Sequence, residues 1–377
     1  MEFVSFEQAV EIWDTLRKPV NAKERQSRIE GKDIGELYPY YGATGQVGYI
    51  DGYISDGEYV LLGEDGAPFL QPTATKAYLI HGKAWVNNHA HVLRSKYNNA
   101  FLCYYLNSFD YQGFVSGTTR LKLTQAAMKQ IPIPAPPLSE QKHIVSRIEE
   151  LFSQLDASVA ELKTAKERLK VYRQAVLKEA FEEVTTHTPF GEIIDARLGK
   201  MLDKEKNTGD FHKYLRNINV RWFSFDLSNL LEMRIEADEI EKYSVSHNDL
   251  IICEGGEPGR CAVWDKQDSI FYQKALHRVR FLDNSNPRFY MYYLWFSAQS
   301  GQLCRYFTGT GIKHLTGQSL SRVIVPTADR TIQDSIVAEI ESRLSVCDSI
   351  QKTVDTALQQ TEALRQSILK KAFEGGL

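Results

Sequence analysis

The side chains best able to do chemistry in this 377-residue chain fall in a few short segments. NNHAHVLR places His89 and His91 two residues apart, with His81 nearby. On a strand such a pair shares one face and could ligate a metal. A third ligand at workable spacing is lacking, so a hydrogen-bonded or DNA-facing pair is the better reading and no metal is expected. GEDGAP (Gly63–Pro68) and CEGGEPGRC (Cys253–Cys261) are acidic and glycine-rich. Neither has the following lysine and helix start of a phosphate-binding loop, so both read as tight turns. The chain has no GxxxxGK[ST], GxSxG or HExxH motif, and no Asn/Asp-Pro-Pro-aromatic tetrad to hold an exocyclic amine. Asp249, Glu254 and Lys274 resemble a nuclease set only loosely, because Tyr272 stands where the acid two residues before the lysine is required. No catalytic residue and no cofactor are therefore expected.

Other segments carry side chains suited to reading nucleic acid. YLRNINVRWFSF contains Arg216, Asn217, Asn219, Arg221 and Trp222. Arg and Asn are the types that make bidentate contacts with guanine and adenine edges. In the first half, YYGATGQVGYI offers Tyr41, Thr44 and Gln46. These seven residues, Trp222 apart, are the candidates for base readout. Thr118 and Lys122 occupy the same repeat positions as Thr310 and His314, and Arg120 and Lys313 lie between them within the two copies of this segment. Equivalent positions in two divergent domains suit contact with the sugar–phosphate backbone, which carries no sequence information. Charge alone would not suggest DNA binding. Residues 1–130 hold 13 Lys/Arg against 14 Asp/Glu, and residues 184–322 hold 18 against 17.

The equivalence comes from an internal repeat. The segment from Gly117 to Glu182 aligns without a gap to that from Gly309 to Glu374, at an offset of 192 residues. There are 21 identities in 66 positions, against about 4 expected for average composition. They include Leu123/Leu315, Thr124/Thr316, Gln141/Gln333, Asp156/Asp348, Arg173/Arg365 and Phe181/Phe373. In the first copy, with Ser139 as N-cap, nothing from Glu140 to Glu182 breaks a helix. Ile148, Leu155, Leu162, Leu169 and Val176 recur every seven residues, with Ile144, Leu151, Ser158, Ala165 and Tyr172 in the companion column. The second copy matches with Ile340, Cys347, Val354, Thr361 and Ile368, and its companion column is Ile336, Arg343, Ile350, Ala357 and Leu364. This a/d pattern predicts two long helices that pair with each other, antiparallel, as a coiled coil.

Composition supports a multidomain α+β protein. It is 43% apolar and 25% charged, with a formal net charge of −3. Residues 1–130 and 184–322 read as β-containing globular domains, each followed by a helical spacer at 131–183 and 323–377. NNAFLCYYLNS and PRFYMYYLWFSAQSG look like corresponding short helices. Five scattered cysteines read as reduced thiols. With no export-like start and no run of ~18 apolar residues, a cytoplasmic location away from membranes is expected.

The residues also carry a resemblance. IPIPAPPLSEQKHIVSRIEELFSQLD, continuing to LKVYRQAVLKEAFEE, resembles the conserved helical region of type I restriction–modification specificity subunits, and the copy ending RQSILKKAFEGGL resembles the second such region. YYGATGQVGYIDGYISDGEYVLLGEDGA with VNNHAHVLR, and LGKMLDKEKNTGDFHKYLRNINVRW, are similar to two versions of the target recognition domain. The second copy departs from the Pro-Pro-Leu-x-Glu-Gln run, having Thr327–Gln333 there. The resemblance implies a non-catalytic subunit that reads an asymmetric, bipartite target in double-stranded DNA and docks two methyltransferase subunits. Restriction and motor subunits would join through the complex. The rival readings are a coiled-coil scaffold whose globular domains bind proteins, and the specificity portion of another restriction architecture.

Overall fold

A computed structural model describes residues 2–376 apart from Lys204 and Lys206. The chain divides into two compact units, Met1–Thr164 with Val354–Leu377, and Ala165–Thr353. Each contains one globular domain, part of one long helix and part of the other. No helix among the described residues is long and apolar enough to cross a membrane.

In the first unit the main strands are β1 (Val10–Ile12), β2 (Tyr38–Gly42), β3 (Gly45–Ile50), β4 (Ser55–Gly63), β5 (Ala77–Val86) and β6 (Ala90–Ser95). They form one sheet in the order β1-β6-β4-β5-β2-β3, antiparallel except where β2 runs beside β5. The EYVLLG run is continuous rather than alternating because both faces of β4 are covered. Val60 and Leu62 pack towards Leu102 and Leu106 of α1 (Asn99–Ser108), while Leu61 packs on the other face with Ile80 and Val92. Asn98 caps α1 by accepting from the Phe101 amide at 2.9 Å.

The first long helix, α2, runs from Leu138 to Glu182. It begins one residue before the expected cap, so Ser139 lies inside it. Pro136 supplies the reason: its carbonyl accepts from Nε2 of the buried Gln141 at 2.9 Å, so a side chain inside the helix ties down its start.

In the second unit the chain builds two four-stranded sheets. One has β7 (Ile194–Leu198), β14 (Leu276–Phe281), β11 (Leu250–Cys253) and β12 (Cys261–Val263), in that order. The other has β9 (Leu231–Ile235), β8 (Asp210–Leu215), β13 (Ile270–Tyr272) and β10 (Ser244–Val245). Again one central strand is buried on both faces. Leu250 and Ile252 pack towards α3 (Pro287–Gln299), and Ile251 and Cys253 towards Trp264 and Tyr272. Asn286 caps α3 through the Arg288 amide. The second long helix, α4, spans Arg330–Glu374, also 45 residues, or about 68 Å at ~1.5 Å per residue. Gln333 repeats the role of Gln141, donating to the Ala328 carbonyl at 2.8 Å.

The long helices meet antiparallel inside each unit. In the first, Arg365 pairs with Asp156 and lies over the Phe152 ring. In the second, Arg173 pairs with Asp348 at 2.7 Å and Arg343 with Glu179 at 2.9 Å. The identities Asp156/Asp348 and Arg173/Arg365 thus form matching ion pairs, one per unit.

The heptad expectation needs one correction. The first column is turned inward: Ile148, Leu169, Val176, Ile340, Cys347, Val354, Thr361 and Ile368 are buried, and Leu155 and Leu162 are partly buried. The companion column is not uniformly so, since Tyr172, Ile350 and Leu364 are 44%, 44% and 48% exposed. Val145 and Val337, beside the buried companions Ile144 and Ile336, are buried as well, as are Leu344 and Ala372, four residues past Ile340 and Ile368. The ends of the helices pack on the globular domains as well as on each other, which turns a wider stripe inward than a two-stranded seam needs.

Candidate nucleic-acid interface

In the first domain the candidate residues collect around the turn read from sequence only as GEDGAP. The turn leaves β4 at Gly63, and its Glu64 amide donates to His89 while the Glu64 carbonyl accepts from Leu123, both at 2.8 Å. Asp65 pairs with Arg120 at 2.6 Å and lies 3.7 Å from His89. Lys122 reaches Glu64 at 3.4 Å. The hairpin of β2 and β3 adjoins the same turn, since Gly63 packs on the Ala43 carbonyl. Thr44, Gln46, Thr118, Arg120 and Lys122 are exposed on this surface, and Tyr41 is half-buried against Tyr78, whose hydroxyl donates to the Gly42 carbonyl.

Beneath the surface lies an ionic cluster. Arg17 pairs with both Asp14 and Glu64, and His91 Nδ1 lies 2.8 Å from Asp14. Burial pushes both carboxyls up, but the hydrogen bond from His91 to Asp14, that from Arg17 to Glu64, and the surrounding positive charges outweigh it. Both end below the usual carboxylate value. The sequence placed His89 and His91 on one strand face. In the structure His89 belongs to the turn before β6 and is half-buried, while His91 is buried inside the domain. Two residues in different conformations share no face.

The second domain repeats the arrangement with different side chains. The Glu254 carbonyl accepts from Leu315 at 2.7 Å, as Glu64 does from Leu123. Gly255 bridges His314, and Gly256 packs on the Asn217 side-chain amide. Glu257 accepts from the Trp222 indole at 2.9 Å and pairs with Arg260, whose guanidinium also donates to the Asn217 carbonyl. Asn217, Trp222 and His314 therefore meet at one acidic turn. Arg221 is exposed and 3.6 Å from Asp226. Arg216 donates to the Asn229 carbonyl. Asn219 is 2% exposed, its amide nitrogen donating to Asp226 and its oxygen accepting from the Arg216 amide. It holds the loop together from inside.

Thr310 and Lys313 are exposed in the loop from Gly309 to His314. Gly117 and Gly309 open the two repeated loops at φ 98° and 93°. A side chain there would collide with the carbonyl of Arg120 or Ile312 as well as strain the backbone. Ser116 exchanges backbone hydrogen bonds with Lys122, and Thr308 with His314, so each loop is a closed hairpin.

The loosely matched acids do other work. Asp249 is 4% exposed and forms a two-pronged pair with Arg280 at 2.7 and 2.9 Å. That pair, and the Asp249 charge, hold the guanidinium of Arg280 above its usual value. No cluster of three metal-ligating side chains occurs among the described residues.

The acidic segments, read as tight turns, also join each repeated loop to a segment peculiar to its domain. The one available signal was their shared Gly-rich, acidic composition at the end of a buried strand.

Two domains built on one plan, with a repeated loop beside a domain-specific segment, define a paired recognition protein, and comparison with known proteins agrees. The family model for the type I restriction modification DNA specificity domain matches twice, at residues 17–167 and 188–360, so the chain belongs to that family. It is 28% identical over 378 residues to a putative type I restriction enzyme specificity subunit of Haemophilus influenzae, covering 96% of this chain and 92% of that one. It is 26% identical to the EcoKI specificity subunit of Escherichia coli, covering 74% of this chain and 66% of the relative. Its fold matches that of the HsdS subunit from Thermoanaerobacter tengcongensis, with a TM-score of 0.60 at 17% identity over 100% of this chain and 97% of that one. A chain from a study of type I R-M complex assembly and conformational transition matches with a TM-score of 0.73 at 16% identity, over 100% and 98%. DNA sequence recognition is the role this family defines.

Proposed function

We propose that this chain reads a bipartite DNA target, one half with each domain, and carries no catalytic group of its own. The observation that supports this most is the acidic turn in each domain, which sets a repeated loop beside a divergent segment. The repeated loops, with Thr118, Arg120 and Lys122 or Thr310, Lys313 and His314, contact the backbone. The divergent segments, with Tyr41, Thr44 and Gln46 or Arg216, Asn217 and Arg221, supply base contacts, and Asn219 shapes the second of them. In the free protein Arg120 and Lys122 are paired with Asp65 and Glu64. Phosphate would replace carboxylate as their partner, so a domain of balanced charge can still grip DNA.

The long helices dock two methyltransferase subunits and fix the separation of the half-sites. Exposed apolar side chains on the helices, Tyr172 and Ile350 in the second unit and Leu364 in the first, favour such docking. The assembled complex, acting in the cytoplasm, methylates adenine, and with its motor subunits it cleaves DNA. Mapping methylated adenines in DNA from cells carrying this chain and its methyltransferase is the deciding test. A two-part motif with a fixed gap is expected. An unaltered methylation pattern, with no sequence preference in DNA binding by the complex, would point to a protein scaffold.

A further inference from the structure

Under each repeated loop lies a histidine that the repeat does not contain. His91 on β6 is fully buried, with Nε2 3.2 Å from the Leu123 carbonyl oxygen. His277 on β14 is 1% exposed, with Nε2 2.9 Å from the Leu315 carbonyl oxygen. A carbonyl can only accept, so Nε2 donates in both. Leu123 and Leu315 are an identity of the 192-residue repeat. The histidines are separated by 277 − 91 = 186 residues, and they lie on strands outside the aligned segment. The same contact has therefore been kept by residues whose surroundings in sequence have diverged.

That contact completes a clamp. The N–H of each leucine is held by the carbonyl of Glu64 or Glu254, and its C=O by the histidine. The next residue, Thr124 or Thr316, caps a short helix by accepting from Ala127 or Ser319, both at 3.2 Å. On the other side the chain runs straight into the closed loop carrying Arg120 and Lys122, or Lys313 and His314. The base of each loop is thus fixed from three directions while its tip stays in solvent. Burial pushes the His277 pKa down, which favours a neutral ring with a single proton to place. His91 is further oriented by Asp14.

We propose that His91 and His277 are positioning residues for DNA binding, each holding a backbone-gripping loop in place through one Nε2–H···O=C bond without touching DNA. This rests on reading the two loops as phosphate contacts.

The test uses the full complex with its methyltransferase subunits. DNA affinity is measured over a range of salt concentrations for the cognate duplex and for duplexes with single mismatches. Each phosphate contact contributes about 0.9 to the slope of log affinity against log salt. His277→Leu should flatten that slope by about 1, through Lys313, and His91→Leu by up to about 2, through Arg120 and Lys122. The ratio of cognate to mismatched affinity should hold. His277→Gln and His91→Gln, which keep a donor at the ε position, should restore the slope. A variant that merely folds less well lowers the active fraction found by titration and leaves the slope alone. An unchanged slope in the leucine variants, or equal effects of Leu and Gln, would overturn the proposal. Arg120→Ala and Lys313→Ala serve as the separate check: if they too leave the slope unchanged, the loops do not grip phosphate and the underlying reading fails.

Discussion

Arg221 and Asn217 lie in the same divergent segment and are held in different ways. Arg221 is free to leave its long contact with Asp226, whereas Asn217 is anchored through its carbonyl and leaves its side-chain amide beside Gly256. Replacing either by Ala should relax base preference at single positions of one half-site, by roughly 1–3 kcal/mol per bidentate contact. Methylation profiling across single-base variants of the target checks this, and an even loss across all positions would contradict it. The thiols give a second expectation. Burial pushes Cys103 up to about 12 and Cys253 up to about 11, and raises Cys261 well above its usual value. Cys347 is also buried, and Cys304 is exposed. Mass spectrometry after brief alkylation at neutral pH should find Cys304 labelled first, with the others reacting only on unfolding. Early modification of Cys253 would show that the turn beside it opens.

The long helices are tied to the domains by a repeated aromatic plug. Phe181 at the end of α2 sits edge-on to Phe289 and Tyr293 of α3, with ring centroids 5.3 Å away in both cases. Phe373 at the end of α4 meets Phe101 and Tyr105 of α1 at 5.2 and 5.3 Å. Phe181 is 5% exposed and Phe373 only partly buried. Phe181→Ala should cost about 3–5 kcal/mol, and Phe373→Ala less. The loss should appear as faster amide exchange in Pro287–Gln299 for the first variant and in Asn99–Ser108 for the second. Unchanged protection in those helices would mean the plugs do not bear on domain stability.

For the whole molecule, the continuous 45-residue helices lead to a prediction about target spacing. Inserting four residues near Thr164, between Leu162 and Leu169, adds ~6 Å to one helix at ~1.5 Å per residue. DNA rises 3.4 Å per base pair, so the methylated motif should keep both halves and widen its gap by about one or two pairs. Four residues are near one helical turn and disturb the seam as a stutter. Methylation confined to the original spacing would show that helix length does not set the gap.

Periodicity and the repeat were enough to establish two halves, two long helices and the short helices before them, because seven-residue spacing and helix capping are local properties. The inward column from Ile148 to Val176 could be read directly for the same reason. Which second column joins it could not, because burial against the globular domains, not the seam alone, turns Val337 and Leu344 inward and leaves Ile350 in solvent. The candidate surfaces were legible as residue types and invisible as places. Glu64 meets Leu123 and His91 meets Asp14 across separations of 59 and 77 residues. Such contacts follow from strand order and from how the loops return to the turn. Asn219 shows the limit most simply: its residue type suited an adenine edge, and the folded loop spends its amide on Asp226 and Arg216. Sequence determined which chemistry was available, and only the tertiary structure decided which polar groups were left free to use it, because each buried polar group must first find a partner within the fold.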